Sequence, residues 1–163
     1  MNRIEYEWVK QTREILLKFC DELQPEDFTR QIDGFGFQSV RDSLLHVANC
    51  YHGWLGSYIL LQTKTPLTPK ENISKTSLEE IKQRFIQADA YVDDVLNDLD
   101  GQMDELIIRA IPWREHGEPI SISAAQLLLH VVTHEYHHKG QIMAMARHMG
   151  YEPPNTDVLG VGD

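Results

Sequence analysis

Four amphipathic stretches, helix-start signals ahead of three of them and glycines that stop two predict an all-α fold. The architecture expected is a four-helix bundle with long inter-helix connections and a short extended hairpin before helix four. The 163 residues are read as a single domain, 1–163.

The first helix is expected over Arg3 to Leu23, where Ile4, Trp8, Ile15, Phe19 and Leu23 fall near helical spacing with Leu16 and Cys20 beside them. After Pro25 the next dozen residues read as loop. Its Asp33-Gly34-Phe35-Gly36-Phe37 run carries turn residues, and two phenylalanines that should fold back onto something apolar. Ser39, three residues ahead of Asp42, starts a second helix running to about Gln62, with Val40, Leu44, Val47, Tyr51, Leu55 and Tyr58 on its apolar face.

Thr63 to Lys75, with Pro66 and Pro69, reads as loop. Thr76 or Ser77, each followed three residues on by a glutamate, opens the third helix; its stripe is Leu78, Ile81, Phe85, Ala88, Val92, Val95 and Leu99, and Gly101 ends it. Leu106–Ile111 and Pro119–Ile122 flank a polar turn and suggest a short hairpin, with Pro112 and Pro119 arguing against a larger sheet. Ser123 with Gln126 forms a capping box for the fourth helix, which should stop at Gly150.

A formal net charge of −10 argues against a nucleic-acid partner, which would need a basic face, and gives no support to an anionic membrane surface. Two cysteines, Cys20 and Cys50, are too few for a disulfide scaffold. A charged N-terminus unlike a signal peptide and the lack of a long apolar run complete the expectation of a soluble, cytoplasmic protein.

The chemistry concentrates in Leu127–Ile142, LLLHVVTHEYHHKGQI, an apolar stretch holding four of the eight histidines. On a helix His130, His134 and His138 form one stripe drifting by roughly 40° per step. His134 and His138, at i and i+4 on one face, can close on one metal ion; against a pair of hydrogen-bonded core histidines, the metal reading is preferred. A third ligand must come from another helix, and His46 on helix two is the candidate, although it lies off the edge of that helix's apolar face.

His130 is expected beside the ligands or in the core, and His137 to face another element. His148 should sit at the helix C-terminus, and His52 and His116 at the surface. Cys50, one turn after His46, reads as an inert buried thiol. His134-Glu135-Tyr136-His137-His138 also matches the zinc-protease pattern H-E-x-x-H, but Gln141 and Ala144 stand where the metzincin continuation needs Gly and His, so the match is read as accidental.

Through SLLHVANCYHGWL around His46, HVVTHEYHHKGQI around His134 and His138, and the RHMGYEPPNTD ending, the chain resembles the DinB-like (damage-inducible, YfiT-like) superfamily of metal-dependent enzymes. The resemblance covers essentially the whole chain. It implies a four-helix bundle, often dimeric, with a divalent metal held by one histidine of helix two and two of helix four, here His46, His134 and His138. Relatives include thiol-dependent transferases and isomerases that use bacillithiol or mycothiol.

The expected function is therefore a metal-dependent transferase acting on a small molecule with a low-molecular-weight thiol such as bacillithiol, zinc or nickel being the leading metals. The chain would work as a homodimer. The alternatives are a metal-dependent hydrolase and a non-catalytic metal or small-ligand binding protein. Trp54, Trp113, Tyr136 and Gln141 are candidate pocket groups.

Overall fold

A computed structural model, describing residues 1–160, shows a helical bundle with one small hairpin. Helix α1 spans Arg3–Glu22, α2 Pro25–Thr29 and α3 Val40–Tyr51; α3 passes directly into a π-helical segment, His52–Ile59. Then come α4 (Lys70–Ile73), α5 (Leu78–Asp98), strands β1 (Leu106–Arg109) and β2 (Ile120–Ser123), α6 (Ala124–His148) and a 3-10 turn at Val158–Gly160. The strands pair antiparallel, Leu106 opposite Ser123 and Arg109 opposite Ile120.

The helix starts are set by local chemistry. The Ser39 hydroxyl accepts from the Asp42 amide, and Ser77/Glu80 and Ser123/Gln126 form full capping boxes that satisfy otherwise unpaired first-turn N–H groups. Gly150, at φ 91°, takes the left-handed conformation that stops α6. The expected stripes of α3 and α5 are buried: Val40, Leu44, Val47 and Tyr51 on one, Ile81, Phe85, Ala88, Val92 and Val95 on the other. Each such large apolar side chain contributes about 1.5–3 kcal/mol by leaving water.

Four expectations need correction. On α1 the buried face is Tyr6, Val9, Thr12, Arg13, Leu16, Phe19 and Cys20, whereas Ile4 and Trp8 are exposed. A buried ionic cluster, described below, rotates the helix away from its most apolar stripe. The stretches read as pure loop contain the one-turn helices α2 and α4. The end of helix two is π rather than α, with Leu60 N–H bonding back to the Leu55 carbonyl five residues earlier. Finally, His52 is buried and not at the surface, its Nε2–H donating to the Arg84 carbonyl at 2.9 Å.

Two glycines make the π segment possible where it packs. A Cβ on Gly56 would lie 2.5 Å from the Tyr91 ring of α5, and one on Gly53 would lie 3.1 Å from the Trp113 ring. Tyr58 Oη reaches both hairpin carbonyls, Ile107 and Ile120, at 3.0 Å, and Arg109 Nη1 donates to the Tyr58 carbonyl at 2.8 Å. The hairpin is thus tied to the π segment, and the loop between its strands is carried over the same end of the bundle. Among the described residues no helix is long and apolar enough to cross a membrane.

Candidate metal centre

α3 and α6 lie side by side, and the seam between them brings His46, His134 and His138 together. One ligand atom from each can be chosen so that all lie within 4.8 Å of one another. His46 Nε2 and His134 Nε2 are 2.8 Å apart. Two nitrogens each bound about 2.0–2.1 Å from one zinc-like ion stand about 2.9–3.4 Å apart, so this pair is already near the separation an ion imposes. The edge position of His46 has a simple reason: off the centre of the apolar face, its ring points along the seam rather than into the core.

The donors are in the form a metal needs. Burial, reinforced by the neighbouring His138, lowers His46 to about 4. Burial followed by repulsion from His138, His46, His130 and His137 lowers His134 to about 4. His138 is also lowered, burial outweighing the opposing effect of the Gln141 amide beside it. All three are neutral imidazoles near pH 7. His138 Nδ1 and Gln141 Oε1 are both buried without a well-formed hydrogen bond. Three converging neutral imidazoles, with His138 Nδ1 left unpartnered, fit a divalent metal site.

The phenylalanine loop supplies what sequence reasoning did not assign. Phe37 stacks on His46 with ring centroids 4.0 Å apart and 24° between planes, and meets His138 edge-on at 5.6 Å. The apolar partner expected for this loop is thus the histidine cluster itself. No periodicity links residue 37 to residue 46 across a turn, so only the pair of phenylalanines hinted at it.

The remaining histidines separate clearly. His130 is exposed rather than in the core; its ring lies parallel to His134 at 5.4 Å, and its Nε2 is 3.7 Å from Cys50 Sγ. His137 is exposed on the other side of the stripe and accepts from Gln141 Nε2 at 3.1 Å. His116 is exposed, as expected, and His148 is the last residue of α6, at the C-terminal position expected for it. Cys50 is half-buried on the cavity lining described below, and burial followed by the charge of Glu135 pushes its thiol up to about 12, which keeps it protonated at neutral pH.

Glu135 settles what the H-E-x-x-H letters mean here. One residue on from His134, it is turned roughly 100° round the helix, toward α1 and α3, and is 2% exposed. Arg13 Nε and Nη2 donate to its two oxygens at 3.1 and 2.9 Å, Lys139 Nζ lies 3.0 Å from Oε1, and Tyr51 Oη donates to Oε2 at 2.6 Å. Burial alone would raise its pKa, but Arg13 and Lys139 overcome that and hold it at about 2. A carboxylate locked into this cluster holds helices together and is not placed to take a proton from a water at the histidines. The match to the protease pattern is accidental.

Beside the histidines opens a cavity of about 540 Å³, within the roughly 300–1,000 Å³ usual for small-molecule sites. His46 and His134 line it together with Phe37, Leu45, Trp54 and Trp113. Of the four candidate pocket groups, Trp54 and Trp113 line it. Tyr136 instead packs toward α1, its hydroxyl 3.2 Å from Thr12 Oγ1, and Gln141 is off the lining, its Nε2 donating to His137.

A helical bundle whose three convergent histidines fit a divalent metal beside an apolar cavity defines the class to which the chain belongs. Within that class the chain belongs to the DinB family, whose model matches residues 1–162. It is 26% identical over 161 residues to the uncharacterized protein YizA of Bacillus subtilis (strain 168), a match covering 98% of this chain and 94% of that protein.

Proposed function

We propose that the protein is a metal-dependent transferase that joins a small electrophile to a low-molecular-weight thiol such as bacillithiol, with His46, His134 and His138 holding a divalent zinc or nickel ion. The observation that carries this reading is the convergence of three neutral imidazoles at the edge of an apolar cavity. When bound, such an ion supplies Lewis acidity that lets a thiol be presented as its thiolate at neutral pH.

The chain's own groups do the rest. Neutral ligands add no negative charge to the site, so the full double charge of the ion is available to an anionic sulfur. Phe37 covers one face of His46 and limits water at that side. Among the described residues, Gln141 Oε1 and His138 Nδ1 are both buried and unpartnered, and Gln141 Nε2 donates to His137. A Cys50 thiol that burial keeps protonated favours an external thiol over a protein nucleophile.

In this reading the protein works as a cytoplasmic homodimer, with neither nucleic acid nor membrane as partner. Its charge of −10 and its free cysteines fit that setting, and the exposed apolar pair Ile4 and Trp8 on α1 supplies surface that a second copy could cover.

The test is loss of bacillithiol in the presence of 1-chloro-2,4-dinitrobenzene, forming a carbon–sulfur bond and releasing chloride and the thiol proton. Consumption above the uncatalysed rate that disappears with a chelator and returns with zinc or nickel is expected. A rate indifferent to the chelator overturns the proposal. Hydrolysis of an electrophile or ester without any thiol puts a metal-dependent hydrolase in its place, and tight metal without turnover leaves a binding protein.

A further inference from the structure

The cavity beside the histidines is built asymmetrically. Trp54 of the π segment and Trp113 of the hairpin loop meet edge-to-face, centroids 5.2 Å apart and planes at 79°, making two perpendicular aromatic walls. Trp113 is pinned because Gly53 has no side chain where the indole lies. Leu45, Leu67 and Ile73 complete an apolar lining.

Three charged residues also line the cavity: Asp42, Lys70 and Arg114. Asp42 is neutralised by Arg41 Nε at 3.1 Å. Lys70 and Arg114 are exposed and, among the described residues, have no ion-pair partner. The Asn49 carbonyl, also on the lining, is committed to the Thr68 N–H and hydroxyl and to Arg84 Nη2. Two uncommitted cations on one cavity are notable in a chain of net charge −10, where most surface positions favour the opposite sign.

We propose that the cavity takes a small amphiphilic anion: a flat apolar body lying against Trp54 and Trp113, with an acidic group, carboxylate or phosphate, met by Lys70 and Arg114. Its other end then reaches His46 and His134. The apolar walls match the electrophilic substrate rather than a polar thiol. This deepens the transferase reading by naming the substrate class of the same site, and rests on that reading for where the reacting end lies. The anion preference comes from charge-assisted hydrogen bonds at a partly solvated mouth, so it is about tenfold and weakens as salt rises.

The test is calorimetric titration of the full chain with 1-naphthylacetate and with its neutral counterpart 1-naphthylacetamide, both in metal-loaded and in chelator-treated protein. The acid should bind about tenfold tighter than the amide in both states. Lys70→Gln/Arg114→Gln should erase that preference while leaving amide affinity unchanged, and Trp113→Ala should weaken both ligands. Both cations are exposed, so the double variant is expected to fold as the parent does.

Equal binding of acid and amide overturns the proposal, as does a preference that survives the double replacement. A preference seen only with metal present shows the carboxylate going to the ion, and overturns it too. Failure of the metal chemistry would leave the chelator-treated result untouched, so the two readings fail separately.

Discussion

Arg13→Met removes the centre of the cluster that fastens α1 to α6. Arg13 is 3% exposed, donates to both oxygens of Glu135 and to Asp89 Oδ1 at 2.6 Å, and lies over the Phe85 ring at 4.7 Å. Methionine keeps much of the stem's packing but leaves a buried carboxylate short of one cation. Breaking a buried pair in this way costs about 3–5 kcal/mol. The lower end applies, because Glu135 keeps Lys139 and Tyr51, and Asp89, 23% exposed, keeps Tyr6 and some water.

A loss of about 3 kcal/mol is a large share of a domain's usual 5–15 or so. With a urea slope of about 2 kcal/mol/M it lowers the unfolding midpoint by about 1.5 M. Adding Glu135→Gln removes the stranded charge, so the double variant should fall short of the summed single losses by about 1–3 kcal/mol. The assay is urea unfolding followed by far-UV circular dichroism. A single-variant loss under about 0.5 kcal/mol would refute the reasoning, since surface substitutions behave that way and Glu135 would then have to be hydrated or neutral.

Other outcomes follow from the same structure. His52 is held down to about 4 by burial and then by the Arg84 cation, whereas the unfolded chain takes up its proton near about 6.5. Between those values the unfolded state binds more protons, so this contribution is complete above about 6.5 and declines as pH falls, by up to about 1.4 kcal/mol per pH unit. His52→Gln should flatten the pH dependence of stability over that window; an unchanged slope counts against it. Gly56→Ala forces a Cβ to 2.5 Å from the Tyr91 ring and should cost about 1–3 kcal/mol, read by thermal melting; no loss would mean that α5 yields freely there. Cys20 and Cys50, both pushed up to about 12 mainly by burial, should stay unreactive toward a disulfide reagent at pH 8 until guanidinium exposes both; prompt reaction of Cys50 would reopen it as a nucleophile.

Much of the helical frame could be read from short-range chemistry. Ser39, Ser77 and Ser123 cap where their spacing to Asp42, Glu80 and Gln126 implied, and Leu106–Arg109 does pair with Ile120–Ser123. What escaped was long-range and polar. The buried face of α1 includes Thr12 and Arg13 because Glu135 and Lys139, more than a hundred residues away, need partners, and hydrophobic periodicity cannot see a buried charge. The π segment has no sequence signature of its own, and His52 looks like any surface histidine until Arg84 offers a carbonyl. At the site, the i, i+4 pair on α6 was visible as a motif, and its convergence with His46 required the packing of α3 on α6. Phe37, Lys70 and Arg114 reach the cavity from irregular or one-turn segments, where spacing carries no information about direction.

The most direct test of the metal reading is a crystal of protein loaded with zinc, examined by anomalous scattering at the zinc edge. The account predicts one strong peak per chain, enclosed by the nitrogens of His46, His134 and His138, and its loss in His138→Ala. A peak elsewhere, or one that persists in His138→Ala with His46 and His134 still hydrogen-bonded to each other, would contradict it.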